Sequence, residues 1–153
     1  MARISDLPEG LARHMHDLPL PTFETTPFAD GPPVSGRRVA LVSTAGLSMR
    51  GEAPFAMGGA DYRVIPGDAG QDDIIMSHIS VNYDRTGFHR DWNVALPLDR
   101  LREMAADGAI GSVADNHYSF MGATAPEQME PAAKAIAGHM AAEGVDAVVL
   151  LPV

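Results

Sequence analysis

The chain has 153 residues, of which 46% are hydrophobic, a size and composition typical of one globular domain. Its 11 basic and 20 acidic residues give a net charge of −9, which disfavours binding to nucleic acid and to anionic membrane surfaces. It contains no cysteine, so disulfides, thiolate metal sites and cysteine nucleophiles are excluded within these residues. With neither a bilayer-length apolar run nor a secretory signal pattern in the sequence, we expect a cytoplasmic protein.

Residues 1–36 are predicted to form a Pro-rich N-terminal arm. Half of the chain's 12 prolines lie in this segment, and proline fixes φ and removes a backbone donor, so long regular elements are disfavoured. One short helix is predicted around Pro8 to His16. Residues 37–153 are predicted to form a single α/β domain.

The α/β domain opens on a buried strand, Arg38 to Ser43, followed by a turn of small residues that begins with Thr44. Further strands are predicted at Tyr62 to Ile65 and Asp73 to Ser80. The pattern then predicts a helix from Asp99 to Asp107, with Gly108 as its C′ glycine. The polar and aromatic run His117 to Gly122 (HYSFMG) is interpreted as a loop.

The C-terminal quarter has the pattern of a helix followed by a strand. Thr124 and Glu127 have the spacing of a capping box, and Gly144 ends the predicted helix. Pro131 either kinks this helix or moves its start to Glu130. Asp146 to Val153 is apolar on both faces, so we expect it beside the first strand in a mostly parallel, Rossmann-like sheet covered by helices on both sides.

Candidate site residues concentrate in two polar segments, and ligands of open α/β sheets bind beyond the carboxyl ends of the strands. We therefore expect the Tyr83–Gly87 and His117–Gly122 loops to lie near Val153. A metal site is an alternative interpretation, although the helical spacing H-E-x-x-H is missing. Its candidate ligands are His78, Asp84, His89, Asp91 and His117.

Several motifs resemble the selenoprotein B family of glycine, sarcosine, betaine and D-proline reductases, in particular its short stand-alone members. These motifs are ALVSTAGL (Ala40 to Leu47), YRVIPGD (Tyr62 to Asp68), SHISVNYDRTGF (Ser77 to Phe88), the run from Asp91 to Gly122, and GVDAVVLLPV (Gly144 to Val153). The resemblance implies an oxidoreductase subunit that cleaves a C–N bond of an amino acid or amine reductively, with a dithiol/disulfide couple.

The same resemblance places a redox motif directly after the strand that ends in Pro-Val: selenocysteine or cysteine, two residues, then cysteine. This sequence stops at Pro152-Val153. We therefore expect that the reading frame was ended at a selenocysteine codon, that no cofactor belongs to this chain, and that the chain alone is inactive. A genuine stand-alone remnant is the other possibility.

Residue type and loop position assign roles within this framework. His78, His117 and Tyr118 are predicted to be catalytic, and Asp84, Arg85 and Thr44 to bind substrate, with Arg85 holding a carboxylate. No metal ligands are assigned. Expected partners are a small amino acid or amine, reductase partner subunits (one of which carries a carbonyl cofactor in the family's large complexes) and a second copy of the chain. Two alternatives stay open: a non-catalytic binding or assembly subunit, and a metal-dependent enzyme built on the His/Asp cluster.

Overall fold

The structure is a computed structural model that describes residues 3–20, 22, 24–79 and 85–153. Its helices are α1 (Glu9–His16), α2 (Thr86–Arg90), α3 (Leu98–Ala106) and α4 (Pro126–Glu143). Its strands are β1 (Arg38–Ser43), β2 (Leu47–Met49), β3 (Tyr62–Pro66), β4 (Ile74–Met76), β5 (Ser112–Val113), β6 (Asn116–Phe120) and β7 (Ala147–Leu151). Short 3₁₀ turns lie at Ile4–Asp6, Val34–Gly36, Gln71–Asp73 and Trp92–Val94.

The main sheet is built around β1. Strand β7 runs parallel to β1 along almost its whole length, while β5 and β6 pair in parallel with its beginning and its end. Strand β3 joins β6 in the antiparallel direction, and β2 and β4 form a separate two-stranded sheet. The predicted α/β class with a mostly parallel sheet and flanking helices is confirmed.

Side chains of β1 alternate between two apolar clusters because successive residues of a strand point to opposite faces. Val39 and Leu41 belong to one cluster, together with Trp92, Leu98 and Leu101 from the region around α3. The other cluster lies under α4 and is made of Ala40, Ala114, Tyr118, Phe120, Ile136 and Met140. The sheet is therefore covered on both faces near β1, which is why this strand is apolar throughout.

The interpretation of His117 to Gly122 as a loop is wrong for its first four residues, which belong to β6. Tyr118 and Ser119 pair with the end of β1 on one side and with Val64 and Arg63 of β3 on the other. Polar residue types hid this strand, because His117 and Ser119 are fully buried positions that sequence patterning assigns to apolar side chains.

Helix α4 begins one turn earlier than Glu130, at Pro126, and continues through Pro131. The predicted capping box does not form: Ala125 is the N-cap, and Thr124 Oγ1 donates instead to the carbonyl of Gly59 at 2.8 Å. Pro126 suits the first helical turn because its fixed φ is already helical. The predicted end is confirmed, since Gly144 adopts the left-handed conformation with φ of 74°.

The predicted neighbourhood of the first and last strands is confirmed by the parallel pairs from Val39–Ala147 to Ser43–Leu151. The predicted covering of the last strand on both faces is wrong: β7 is an edge strand, and its three central residues are 40% to 71% exposed. The predicted strand Asp73 to Ser80 is shorter, and only Ile74–Met76 forms it. None of the described helices is long and apolar enough to cross a bilayer.

Candidate functional site

The carboxyl ends of β1, β6 and β7 meet at one edge of the sheet. Thr44, directly after β1, accepts a hydrogen bond from the Val153 backbone N–H through its Oγ1 at 2.8 Å, and this hydroxyl lies 3.3 Å from the Val153 carbonyl oxygen. The Gly122 N–H donates to the Thr44 carbonyl at 2.9 Å. We call this edge the carboxyl rim, defined by Thr44, Gly46, Gly122 and Val153. It lies where open α/β sheets bind their ligands.

Close packing at the rim requires a glycine at position 122. A Cβ atom there would lie 2.8 Å from the Val153 carbonyl oxygen and 2.9 Å from that of Thr44. Both contacts are shorter than real Cβ atoms tolerate, and the neighbours are backbone atoms that cannot rotate away. Gly122 therefore lets the ends of β1 and β7 approach β6, a role that sequence reasoning missed because glycine carries no chemical signal.

Gly46 connects the rim to the segment that contains His78. Its N–H donates to Phe120 O at 2.8 Å and its carbonyl accepts from Ser77 N at 2.8 Å. Gly46 has a φ of +65°, and a Cβ added to it would lie 3.0 Å from the His78 backbone. Two of the predicted site residues, Thr44 and His78, are thereby brought to the same side of the molecule.

His78 is only 4% exposed, and the Arg85 guanidinium donates a hydrogen bond to its carbonyl oxygen. Burial of the imidazole, with the nearby positive charge of Arg85 as a second cause, lowers the pKa of His78 from its usual value. His78 is therefore neutral at physiological pH and can accept a proton there. Among the described residues no carboxylate forms an ion pair with Arg85. Asp84, the remaining predicted residue of this segment, lies outside the described residues.

His117 lies inside the sheet, away from the rim. Between the pairs Val39–Val113 and Val42–Tyr118 the β5–β6 side contains two more residues than β1, so the ladder is interrupted there. The Leu41 N–H, left without a backbone acceptor, donates to His117 Nδ1 at 3.0 Å. His117 is fully buried, and this burial lowers its pKa to about 4.

Tyr118 points to the opposite face of the sheet from His117, as strand alternation requires. Its ring packs edge-on against Tyr62 at 5.8 Å under α4, and only 2% of the residue is exposed. Burial, followed by the neighbouring Glu143 charge, raises the pKa of Tyr118, so the phenol stays neutral. The two predicted catalytic neighbours therefore cannot face the same reaction space.

Two buried serines near the rim also hold the backbone, and sequence reasoning did not single them out. Ser43 Oγ donates to Ala95 O at 2.8 Å and accepts from Ala45 N at 3.2 Å. Ser119 Oγ accepts from Leu47 N at 2.8 Å. Their hydroxyls fix the turn that follows β1, which in turn places Thr44 and Gly46.

The sequence profile described as "Glycine/sarcosine/betaine reductase selenoprotein B" matches residues 12–152. The chain belongs to this family. The match confirms the resemblance drawn from the sequence motifs, and it extends beyond them into the predicted N-terminal arm. Whether the arm and residues 37–153 are separate units stays a prediction.

Individual relatives in the selenoprotein B family carry names of two reductase systems. The chain is 37% identical over 115 residues, 73% of its length, to a protein of Acetoanaerobium sticklandii named "D-proline reductase subunit gamma". It is 32% identical over 146 residues, 88% of its length, to "Glycine reductase complex component B subunit gamma" of Carboxydothermus hydrogenoformans. The protein of the same name from Symbiobacterium thermophilum is 31% identical over 146 residues.

The chain spans less than half of the length of these relatives: the matched regions cover 47% of the first and 32% and 33% of the other two. No solved structure matches the chain significantly. Sequence similarity thus places the chain in the selenoprotein B family.

The described part of the site contains no cluster suited to a metal ion. No three His, Cys, Asp or Glu residues among those described come close enough together to hold one. Asp91, a candidate ligand, accepts hydrogen bonds from the backbone and side-chain nitrogens of Asn93 at 2.9 and 2.8 Å and so begins a 3₁₀ turn. Its carboxylate is thereby engaged in fixing the local backbone.

Proposed function

We propose that this chain is the substrate-binding part of a selenoprotein B-type reductase subunit, acting in the reductive cleavage of the C–N bond of an amino acid or amine. The observation that carries the proposal is the meeting of Thr44, Gly122 and Val153 at the carboxyl rim. The family resemblance places the redox residue just after Pro-Val, and such a residue would enter the site at this rim. A selenolate or thiolate there supplies the nucleophile for the reaction.

Within this proposal Thr44 positions the backbone that leads to the redox residue. Its hydroxyl and its backbone N–H hold both Val153 and Leu151, the latter through a 3.0 Å hydrogen bond to the Leu151 carbonyl. Fixing a reacting group to within a fraction of an ångström is worth several kcal/mol in rate. Thr44 is thus better suited to a positioning role than to the direct substrate contact predicted from sequence.

Arg85 and His78 are proposed to act on the substrate side. The guanidinium of Arg85 is held by a carbonyl oxygen rather than neutralised by a described carboxylate, so its positive charge favours a substrate carboxylate. Neutral His78 is suited to accept or return a proton, although it needs a small movement to do so because it is 4% exposed. His117, bonded to Leu41 inside the sheet, is assigned a structural role in this proposal.

The nucleotide sequence that follows the Val153 codon is the first test. As the family resemblance implies, the proposal expects a codon for selenocysteine (UGA) or cysteine there, then two codons, then a cysteine codon. An ordinary stop codon with no cysteine codon beyond it would contradict the proposal that a redox residue follows Val153. It would favour a second candidate function, a non-catalytic binding or assembly subunit. The absence of cysteine from the 153 residues is the observation that keeps this candidate open.

Activity assays follow from that result. The extended chain, with cysteine at the redox position, is assayed together with the partner subunits of its own organism, using glycine, sarcosine, betaine and D-proline with dithiothreitol. We expect turnover from the extended chain and none above the no-enzyme rate from the 153-residue chain. Turnover by the 153-residue chain alone would disprove the proposal.

The role of Arg85 is tested in the same assay with a matched pair of variants. Arg85→Gln is expected to raise KM for a carboxylate substrate at least tenfold, because a charge-assisted hydrogen bond contributes about 1.5–3 kcal/mol. Arg90→Gln removes the same charge from the other end of the short helix α2 and is expected to leave KM within twofold. Equal effects of the two substitutions would show that only net charge matters.

A further inference from the structure

Strand β7 leaves an apolar edge of the main sheet uncovered. It pairs with β1 on one side, and no described strand pairs with its other side. Val148 is 42% exposed and Leu150 is 71% exposed, and the strand Ala147–Leu151 contains no charged residue. Edge strands normally carry charges, prolines or bulges that prevent pairing with another chain. An uncharged, exposed edge is therefore unusual for a surface that faces only water.

An apolar groove continues from this edge towards α4. The groove has a volume of about 400 Å³, and among the described residues that line it only Thr44 is polar. The lining residues are Val42, Thr44, Phe120, Met129, Ala133, Leu150, Leu151 and Pro152. We call it the β7–α4 groove. Because Leu150 belongs both to the groove and to the open strand, the two features form one continuous apolar surface.

The described residues of the N-terminal arm do not cover this surface. Residues 27–30 line a second cavity, of about 570 Å³, beside Val148 and Leu150. Phe28, the largest apolar side chain of that stretch, is itself 91% exposed. A side chain that packed onto β7 would be buried, so the described arm leaves the strand accessible.

The lengths of the relatives indicate what covers this edge. The matched regions make up 47% of the D-proline reductase subunit gamma and about one third of the two glycine reductase subunits. More than half of each of these proteins is therefore polypeptide outside the matched region. An uncharged edge strand with an adjoining groove offers such polypeptide both backbone hydrogen-bonding groups and apolar area to pack on.

We propose that a polypeptide segment of the kind that the longer relatives carry outside the matched region docks on β7 and the β7–α4 groove. It contributes an uncharged β-strand that hydrogen-bonds to the open side of β7, and apolar side chains that fill the groove beside Met129 and Leu150. The proposal concerns assembly of the fold and does not depend on which reaction the subunit catalyses. Since Thr44 lines the groove, the docked segment also closes one side of the carboxyl rim.

The test uses the affinity-tagged 153-residue chain, co-expressed with the part of the D-proline reductase subunit gamma that lies outside the matched 115 residues. We expect the two polypeptides to co-purify. Hydrogen exchange of the β7 amides should slow at least tenfold in the complex. Val148→Lys and Leu150→Lys should each lower the captured amount at least tenfold, because a lysine ammonium cannot be buried in an apolar interface without large cost.

The opposite edge strand provides the matched control. Val64 lies on β3, pairs with β6 on one side, and is 37% exposed, which is close to the 42% of Val148. Val64→Lys therefore makes the same chemical change at a similar exposure, and we expect it to leave capture unchanged. Capture that both substitutions lower equally, or slowed exchange on β3 rather than β7, would overturn the proposal.

Two further outcomes bear on the chain by itself. If Leu150→Lys lowered the thermal midpoint of the isolated chain by more than about 4 °C, the shift that roughly 1 kcal/mol produces in a domain of this size, its side chain would already be used within the chain and the proposal would fail. A homodimer, detected by light scattering and abolished by Leu150→Lys, would place a second copy on β7 and would also overturn the proposed occupant.

Discussion

The interior of β6 and the carboxyl rim contain the same types of polar residue but use them differently. In the interior, His117 and Ser119 are completely buried, and each side chain accepts a hydrogen bond from a backbone N–H of another segment. At the rim, Thr44 is only half-buried and holds Val153, and beyond it Arg85 is exposed and donates to the His78 carbonyl. Polar residues of the same types can therefore have two roles: some stabilise the fold by binding backbone groups, and others remain available for chemistry.

Removing the His117 side chain is expected to give the largest loss of stability. If no loss is observed, the distinction between the interior and the rim does not hold. His117→Ala leaves the Leu41 N–H buried without an acceptor and opens a cavity, so we expect a loss of about 4 kcal/mol in the free energy of unfolding. Urea denaturation of the 153-residue chain measures it. His117→Asn places an amide oxygen near the former Nδ1 position and should recover at least half of the loss. Equal losses in both variants would mean that the hydrogen bond to Leu41 contributes little.

The pH dependence of the free energy of unfolding tests the buried state of His117 in the interior of the sheet. The pKa of His117 falls from 6.5 to about 4 on folding because burial disfavours the imidazolium. Between these values the unfolded chain binds the proton and the folded chain does not, so stability is complete above pH 6.5 and decreases as the pH falls to 4. At 1.36 kcal/mol per pKa unit the decrease is about 3 kcal/mol.

His117→Asn is the control for that decrease, which is followed by urea denaturation at several pH values. The variant should have a shallower slope between pH 6.5 and 4. Some slope should persist, since the pKa of His78 is also lowered by burial and acts in the same direction. A wild-type slope that the substitution leaves unchanged would show that His117 is not the titrating group.

Most elements of the fold were predicted from the sequence, and the reason is physical. β1, α3, α4 and β7 were predicted because their apolar patterns and terminal glycines are local signals. β6 was missed because its polar side chains satisfy backbone groups that are distant in sequence, as His117 does for Leu41. The edge position of β7 was missed as well, because an apolar strand has the same sequence pattern whether it lies in the middle of a sheet or at its edge.

The structure brings some of the predicted site residues together and separates others. Thr44 contacts Val153 at the carboxyl rim and Gly46 packs on the His78 backbone, whereas His117 and Tyr118 point to opposite faces of the sheet. Residue type alone cannot separate these groups, since a buried histidine and a catalytic one have the same sequence signal. Gly122 could be recognised only from the distances between three strand ends.

Adding one methyl group at the rim tests how closely the three strand ends must pack. Gly122→Ala places a Cβ atom 2.8 Å from the Val153 carbonyl oxygen, so the end of β7 must move. We expect a loss of about 2 kcal/mol, typical of overpacking against backbone. Gly138→Ala is the matched control, because a Cβ atom at that position in α4 meets nothing within 4 Å. It should be neutral or stabilising by urea denaturation, and a destabilisation equal to that of Gly122→Ala would contradict the close approach.

The smallest expected effect concerns the Thr44 hydroxyl that holds Val153. Thr44→Val keeps the shape of the side chain but removes the acceptor for the Val153 N–H, and we expect a loss of about 1 kcal/mol because the bond is only partly buried. Amide exchange of Val153, measured by NMR, should become several-fold faster, while the amides at the start of β7 keep their rates. Thr44→Ser retains the hydroxyl and should keep slow exchange at Val153 even if removal of the methyl group costs some stability. Fast exchange in the serine variant would show that this end of the strand is ordered by the packing of the methyl group in the β7–α4 groove. The positioning role would then belong to the groove rather than to the hydrogen bond.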